Sequence, residues 1–302
     1  ETVNYTNAES LTVNGREGAD VFNVTPAAIP MSIVGGAPVG SLPGDALNIA
    51  AGANDVTFNP GVHADDGTFV VAGSAGAITY TEIESASVTG AAGADLTISG
   101  NNADNDITIV GTGTDDFTVS VDAGPSIQYN DFTSLTVNSL AGDDDITLEV
   151  NALALGTAPQ ITIDGGQPGG GDADSLSVRG DAGADNASWT PSASGAGLLS
   201  VHGQTINVTD TETLIYDGES QDETLTVLGT AGGDDTIVHT PGDAPDAGSV
   251  RVNALLAIDY VRLGTGMNAS IAINGQGNAT ATGDTLQVVG TPGADVFGLS
   301  PN

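Results

Sequence analysis

The sequence predicts an all-β fold, an elongated parallel β-solenoid (β-helix-like) with uneven coils, and three observations predict it. Val and Ile number 45 against 20 Leu, a β-branched excess that suits half-buried strands. Apolar and polar residues alternate in short runs, as in 135–138 (LTVN) and 146–149 (ITLE), so each run buries one face only. The same turn units recur along the chain, with roughly three short strands per 30–40 residues, the punctuation of a solenoid coil. No window carries an apolar period near 3.6, and the 43 Gly and abundant Thr oppose helix. The spacing of the Gly-Asp turns is uneven, from about 20 to 60 residues, which keeps tandem small β-sandwich domains joined by Gly/Asp hairpins as the alternative.

Three units build the chain. The first is h-x-h-x-G-x-x-G-x-D-h-x-h, at 11–26 (LTVNGREGADVFNVTP) and 176–191 (LSVRGDAGADNASWTP), with shorter relatives at 86–98, 107–119, 135–148 and 225–241. The second is an alternating run closed by Gly-Gly, then a Gly/Pro loop and Gly-Asp, at 33–49 and 163–178, with a copy at 273–288 in which Gly-Gln-Gly closes the run. The third is Tyr, a polar corner and a Ser/Thr strand, at 5–13, 80–88 and 129–137, with a weaker copy at 208–215. Asn7, Asp131 and Asp210 stand in those corners, where such side chains bond their own backbone. Residues 56–90 run strand, Pro60, acidic loop, two strands, corner and strand, and 236–263 begin in the same order around Pro241, Asp243 and Asp246.

Residues 286–301 (LQVVGTPGADVFGLSP) match 11–26 at nine of sixteen positions, at an offset of 275. The chain also opens without Met. Residues 1–302 are therefore expected to be one repeat module of about 275 residues plus a short overlap into the next.

Composition excludes several functions. Of 302 residues, 39 are Asp or Glu and only 4 are basic, all arginine, for a net charge of −35. Such a surface repels nucleic acid and anionic membranes. No apolar run reaches the 18 or more residues of a membrane helix, so no membrane insertion is expected. The absence of Cys excludes disulfides, thiolate zinc sites and a cysteine nucleophile. Arg16, Arg179, Arg251 and Arg262 are scattered in sequence, and no Ser stands in a G-x-S-x-G elbow. Trp189, the only tryptophan, takes an apolar core position rather than that of a sugar platform. His63, His202 and His239 have no partner at a metal or triad spacing, and His63 and His239 read as surface histidines. No catalytic residue is expected, and the chain is not expected to be an enzyme.

The Asp-bearing turns are the candidate sites. Ca²⁺ takes six to eight oxygen ligands, and Gly-rich turns expose carbonyls beside carboxylates. The candidate ligands are Asp20, Asp115, Asp116, Asp143, Asp144, Asp145, Asp234, Asp235 and Asp295. The competing reading is that these residues make Asx turns on a solvated surface.

The turns resemble the calcium-binding nonapeptide repeats of RTX-type secreted proteins, although here the motif stands singly and its doubled glycine is mostly missing. The phrases at 5–26 (YTNAESLTVNGREGADVFNVTP) and 232–241 (GGDDTIVHTP) resemble the Thr/Gly/Asp-rich tandem-repeat cell-surface proteins of planctomycete-like bacteria, a likeness covering nearly the whole chain. That resemblance implies secretion, a repetitive β architecture and a structural role at the cell surface. The expected function is a module of a fibre, stalk or coat stacking end to end on copies of itself or neighbouring repeats, with Ca²⁺ as cofactor and divalent cations or glycans as further partners. An adhesion or glycan-binding module and a β-helical polysaccharide-degrading enzyme are the alternatives.

Overall fold

The computed structural model describes residues 7–37, 44–74, 76–156, 160–166, 173–266, 269–277 and 283–290. They form 26 β-strands in two 13-stranded sheets, here A and B, and contain no helix. The chain lays one strand in each sheet per coil. β1 (Leu11–Glu17) and β2 (Val21–Val24) open sheets A and B, and β3 (Met31–Ala37) and β4 (Ala46–Ala50) stack on them in parallel. At about 4.8 Å per step, 13 strands make a stack about 58 Å long. Both sheets run unbroken through every coil, so the tandem-sandwich alternative does not describe this chain.

A plain parallel solenoid would continue coil on coil, but this chain steps ahead and comes back. β5 (Val56–Pro60) is laid three places beyond β3 in sheet A, and β6 (Gly67–Val71) and β7 (Ile78–Thr81) return antiparallel to fill the gap. β8 (Ser85–Thr89) then stacks on β4, and β9 (Asp95–Ser99) on β5. Sheet B makes the same detour with β10 (Asp106–Gly113), β11 (Asp116–Val121) and β12 (Ile127–Asn130), the last beside β8. Plain coils follow: β13 (Ser134–Asn138), β14 (Asp145–Glu149), β15 (Ile161–Asp164) and β16 (Ser175–Arg179). A third meander in A comprises β17 (Asn186–Ala193), β18 (Ala196–Val201) and β19 (Gln204–Thr209). β20 (Thr213–Asp217) and β21 (Thr224–Leu228) lead to a fourth in B, β22 (Thr236–Pro241), β23 (Gly248–Val252) and β24 (Ile258–Val261). β25 (Ser270–Asn274) and β26 (Thr285–Val288) close the stack.

The pattern repeats within the chain. β3, β5 and β10 begin at residues 31, 56 and 106, and β15, β17 and β22 at 161, 186 and 236, 130 residues later in each case. The phrase at 11–26 starts in sheet A, whereas its copy at 286–301 starts in sheet B, and residues 291–302 lie outside the described residues. The Gly-Asp turns at Asp20, Asp95, Asp144, Asp185 and Asp235 are corners that carry the chain from one sheet to the other, whereas the turn at Asp115 joins antiparallel β10 and β11 as a hairpin.

Alternation fixes the core. Leu96, Leu135, Ile161 and Ile206 stack inward in register, while their neighbours Thr97, Thr136, Thr162 and Asn207 stack outward. Large rings concentrate in the meanders: Phe58, Phe69 and Tyr80 in the first, Phe117 and Tyr129 in the second, Trp189 in the third. Trp189 is fully buried, as its sequence context predicted. Room for a ring comes from a glycine on the middle strand. A Cβ on Gly248 would sit 2.5 Å from the Tyr260 hydroxyl, and one on Gly197 2.3 Å from the Trp189 ring. Every meander leaves through a residue with positive φ, Glu82, Asp131, Asp210 or Arg262, three of them in the Tyr-corner units read from sequence or their weaker copy.

His239 corrects an expectation. It lies in β22 at the ring position that Phe58 and Trp189 hold in other meanders, half-buried and stacked on Tyr260, with its Nε2 2.8 Å from the Tyr260 hydroxyl. Burial lowers its pKa.

Candidate metal centre

Most of the candidate aspartates lie at the corner where sheet A feeds sheet B. There the residue before each strand stacks on its counterpart in the next coil. The Asp20 N–H donates to Asp45 Oδ1 (2.7 Å), and the Asp45 N–H to Glu84 Oε2 (2.6 Å). Further along, Asn105 donates to Asp144 (2.7 Å), Asp144 to Asp174 (2.9 Å), Asp174 to Glu212 (2.9 Å) and Asp235 to Asp284 (2.9 Å). This acid ladder absorbs Asp20, Asp144 and Asp235. Each accepted backbone N–H is a charge-assisted hydrogen bond that offsets part of the cost of burying Asp45, Asp144, Asp174 and Asp235.

The ladder acids are not equally satisfied. Asp235 accepts from the Thr230 N–H and hydroxyl (both 2.7 Å) and from Asn253 Nδ2 (2.6 Å). Asp144 Oδ2, by contrast, is buried without a well-formed hydrogen bond, as are Asp20 Oδ2 and Asp45 Oδ2. Burial raises the pKa of Asp144, against the Asn105 N–H and the Ser139 hydroxyl that lower it, with Asp104 and Asp122 adding to the rise.

The other candidates take separate places. Asp143 and Asp145, with Asp104, Asp106 and Asp122, line an open groove of about 450 Å³ beside the ladder. Within it the Asp143 N–H donates to Asp104 Oδ1 (3.0 Å), and Asp143 Oδ1 accepts from the Ala173 N–H (3.0 Å). Asp115 and Asp116 sit in the tight turn between β10 and β11. Asp115 has φ 58° and an unpaired buried Oδ1, and its pKa is raised by burial, then by Asp116 and Asp131. Asp234 is exposed beside Asp235, and Asp295 lies outside the described residues.

Among the described residues one group brings metal-ligating atoms together, and the sequence reading missed it. Asp181, Asp185 and His202 offer ligand atoms that all lie within 4.8 Å of one another. His202 Nδ1 is 3.1 Å from Asp185 Oδ1 and 3.2 Å from Asp181 Oδ2. Asp181 and Asp185 belong to the corner between β16 and β17, and His202 to the turn between β18 and β19, which the meander folds back beside it. Asp185 is almost wholly buried; its Oδ2 accepts from the Asp181 N–H (2.9 Å), and its own N–H donates to Glu223 Oε2. Burial pushes Glu223 up to about 7, with Asp185 and Asp181 adding to the rise. Glu223 Oε1 and the neighbouring Tyr216 hydroxyl are buried without a well-formed hydrogen bond. His202, read from sequence as lacking a partner at metal spacing, thus has two, and the group could hold a metal ion.

The arginines also meet. Arg179 reaches Glu149 (2.7 Å) and Glu219 (2.8 Å), while Arg262 reaches Asp217 and Glu219 (2.9 Å). The network spans four consecutive layers of sheet B, from β14 to the exit of β24, and pins coils together.

Compared with known protein families, with characterised proteins and with solved structures, the chain matches none.

Proposed function

We propose that the chain is a structural module of a secreted bacterial cell-surface fibre, stalk or coat that stacks end to end on further copies or neighbouring repeats and is stabilised by divalent cations. The observation that carries this reading is the last described layer. On β26, Leu286 and Val288 continue the inward files of Ile237 and His239, yet are 53% and 40% exposed among the described residues. A solenoid layer of this kind is completed by another layer. The likeness to Thr/Gly/Asp-rich surface proteins supports the extracellular setting, and the charge of −35 supports fibres that repel side by side. The groove lined by Asp104, Asp106, Asp122, Asp143 and Asp145 is where Ca²⁺ would act. A glycan-binding reading gains less, since Trp189, Tyr129 and Tyr216 are buried in the core.

Sedimentation and electron microscopy test the proposal at rising protein concentration, with and without Ca²⁺. The expected result is rods lengthening in steps of one module, shortened to monomers by Leu286→Lys. Particles that stay monomeric at every concentration, or that associate side by side, would overturn it.

A further inference from the structure

The internal repeat supplies two sister corners against which the Asp181–Asp185–His202 group can be read. In three meanders the residue directly after the middle strand has positive φ and faces the residue directly before the first strand: Asp122 (φ 54°) faces Asn105, His202 (φ 49°) faces Asp185, and Asn253 (φ 53°) faces Asp235. In the two sisters a single amide meets a single carboxylate, Asn105 Nδ2 to Asp122 Oδ2 (3.3 Å) and Asn253 Nδ2 to Asp235 Oδ1 (2.6 Å). Each such pair is complete.

The His202 corner differs by one added carboxylate. Asp181 takes the place of Asn101: both donate their N–H to the residue four positions on, and both use Oδ1 to accept an N–H two positions on. Asn101 has an amide nitrogen left over, whereas Asp181 has a charged Oδ2, aimed at the same Nδ1 as Asp185 Oδ1. One Nδ1–H cannot serve two carboxylates fully. Behind them Glu223, 0% exposed, keeps Oε1 without a well-formed hydrogen bond, and among the described residues no arginine contacts any of the three acids. The corner therefore concentrates negative charge that a proton shared with imidazole leaves under-neutralised.

We infer that Asp181, Asp185 and His202 form a binding site for a divalent transition-metal ion of the Zn²⁺ class, which clamps the β18–β19 turn to the corner before β17. Ligands about 2.1 Å from a tetrahedral ion lie about 3.4 Å apart, so the 3.1 and 3.2 Å separations need to open by only a few tenths of an ångström. Imidazole nitrogen with two carboxylates suits Zn²⁺, whereas Ca²⁺ takes oxygen alone. The fourth position faces solvent past His202, a third exposed, and would hold water. The site is separate from the groove assigned to Ca²⁺, and it stands whether or not modules stack.

The test is calorimetric titration and thermal melting of the folded chain with Zn²⁺ alone, against His202→Asn and Asp181→Asn. Each variant installs the residue that a sister corner already carries, so the metal-free midpoint is expected to stay near that of the parent. The parent should bind one Zn²⁺ and melt higher with it, and both variants should lose affinity by roughly a hundredfold. Co²⁺ in place of Zn²⁺ should give a visible absorption band in the parent and none in His202→Asn. An absent band, equal Zn²⁺ binding by parent and His202→Asn, or displacement of Zn²⁺ by equimolar Ca²⁺ would each overturn the site. Should a variant fail to fold, the Co²⁺ band and Ca²⁺ competition in the parent decide.

Discussion

The two edges of the solenoid carry the same chain between the same two sheets, yet they are built differently. Where sheet A feeds sheet B, the residue before the strand is Asp20, Asp45, Glu84, Asn105, Asp144, Asp174, Glu212, Asp235 or Asp284 in turn, eight acids and one amide. Where B feeds A, the same place holds Pro30, Asp55, Ala94, Thr133, Gln160, Asp185, Glu223 and Ala269. On the first edge a peptide N–H donates to the next acid in three runs, Asp20 to Glu84, Asn105 to Glu212 and Asp235 to Asp284, separated by the meanders of sheet B. On the second, neutral residues mostly satisfy the corner through carbonyls, as when the Thr133 N–H donates to the Ala94 carbonyl (2.9 Å). Acids are fewer on the second edge: Asp55 accepts the Asp95 N–H (3.1 Å), Glu223 accepts the Asp185 N–H, and at the Asp185 corner the acids also gather with a histidine. Acidity in this chain has two meanings, and location decides which applies.

The largest expected effect breaks the ladder edge through its backbone. Gly166 has φ 106°, and a Cβ there would lie 1.9 Å from the Leu140 carbonyl oxygen of the next layer. Gly93, at a corner of the other edge, has φ 93° but nothing within 4 Å. Gly166→Ala should cost about 4 kcal/mol or prevent folding, and Gly93→Ala about 1 kcal/mol, read by urea denaturation. Equal costs would mean that the edges are equally tight.

Next comes the rung itself. Asp235→Ala strands the Thr230 N–H and the Asn253 amide, for an expected loss of about 3 kcal/mol in the same assay, whereas Thr133→Ala on the other edge should cost less than about 1 kcal/mol.

The smallest effect sharpens the contrast within the ladder and carries a pH signature. Burial holds the folded pKa of Asp144 above its unfolded value of 3.8, so the folded state keeps that proton more tightly. Stability from this group is therefore present at acid pH and is lost as pH rises through the folded pKa. Asp144→Asn keeps the acceptor for the Asn105 N–H, as Asn105 itself does for Asn101, and removes the charge. The variant should melt higher than the parent at pH 7, with the gain fading toward pH 4. Asp235→Asn, in a corner where both oxygens are occupied, should melt lower.

Much of the strand content was legible in sequence because a buried face imposes a period of two, and Pro60, Gly67, Pro241 and Gly248 mark their turns unmistakably. The corners were not legible as corners. A Gly-Asp turn looks the same locally whether the next strand pairs beside the last or crosses to the opposite sheet, and the deciding bonds, such as Asp45 to Glu84 or Asn105 to Asp144, span 39 residues. Calcium-like turns therefore proved to include ladder rungs. Arg179 and Arg262 looked scattered because layer stacking, not sequence distance, sets their neighbourhood. His202 looked unpartnered for the same reason. The signal that could have exposed it is positional: Asp122, His202 and Asn253 all follow the middle strand of a meander, and only one is a histidine.

The back-stepping meanders also govern how such a stack bears load. A plain coil pulled from one end sheds its outermost turn, and each loss presents the next, so the strand unzips one bond at a time. Here the segment after β4 is β5, which lies three places inside sheet A with β6 on one side and β9 on the other. Tension that has peeled β4 then pulls on a strand clamped along both edges, whose bonds must shear together. The four meanders thus act as stops against unravelling, and force would break the stack in multi-layer blocks.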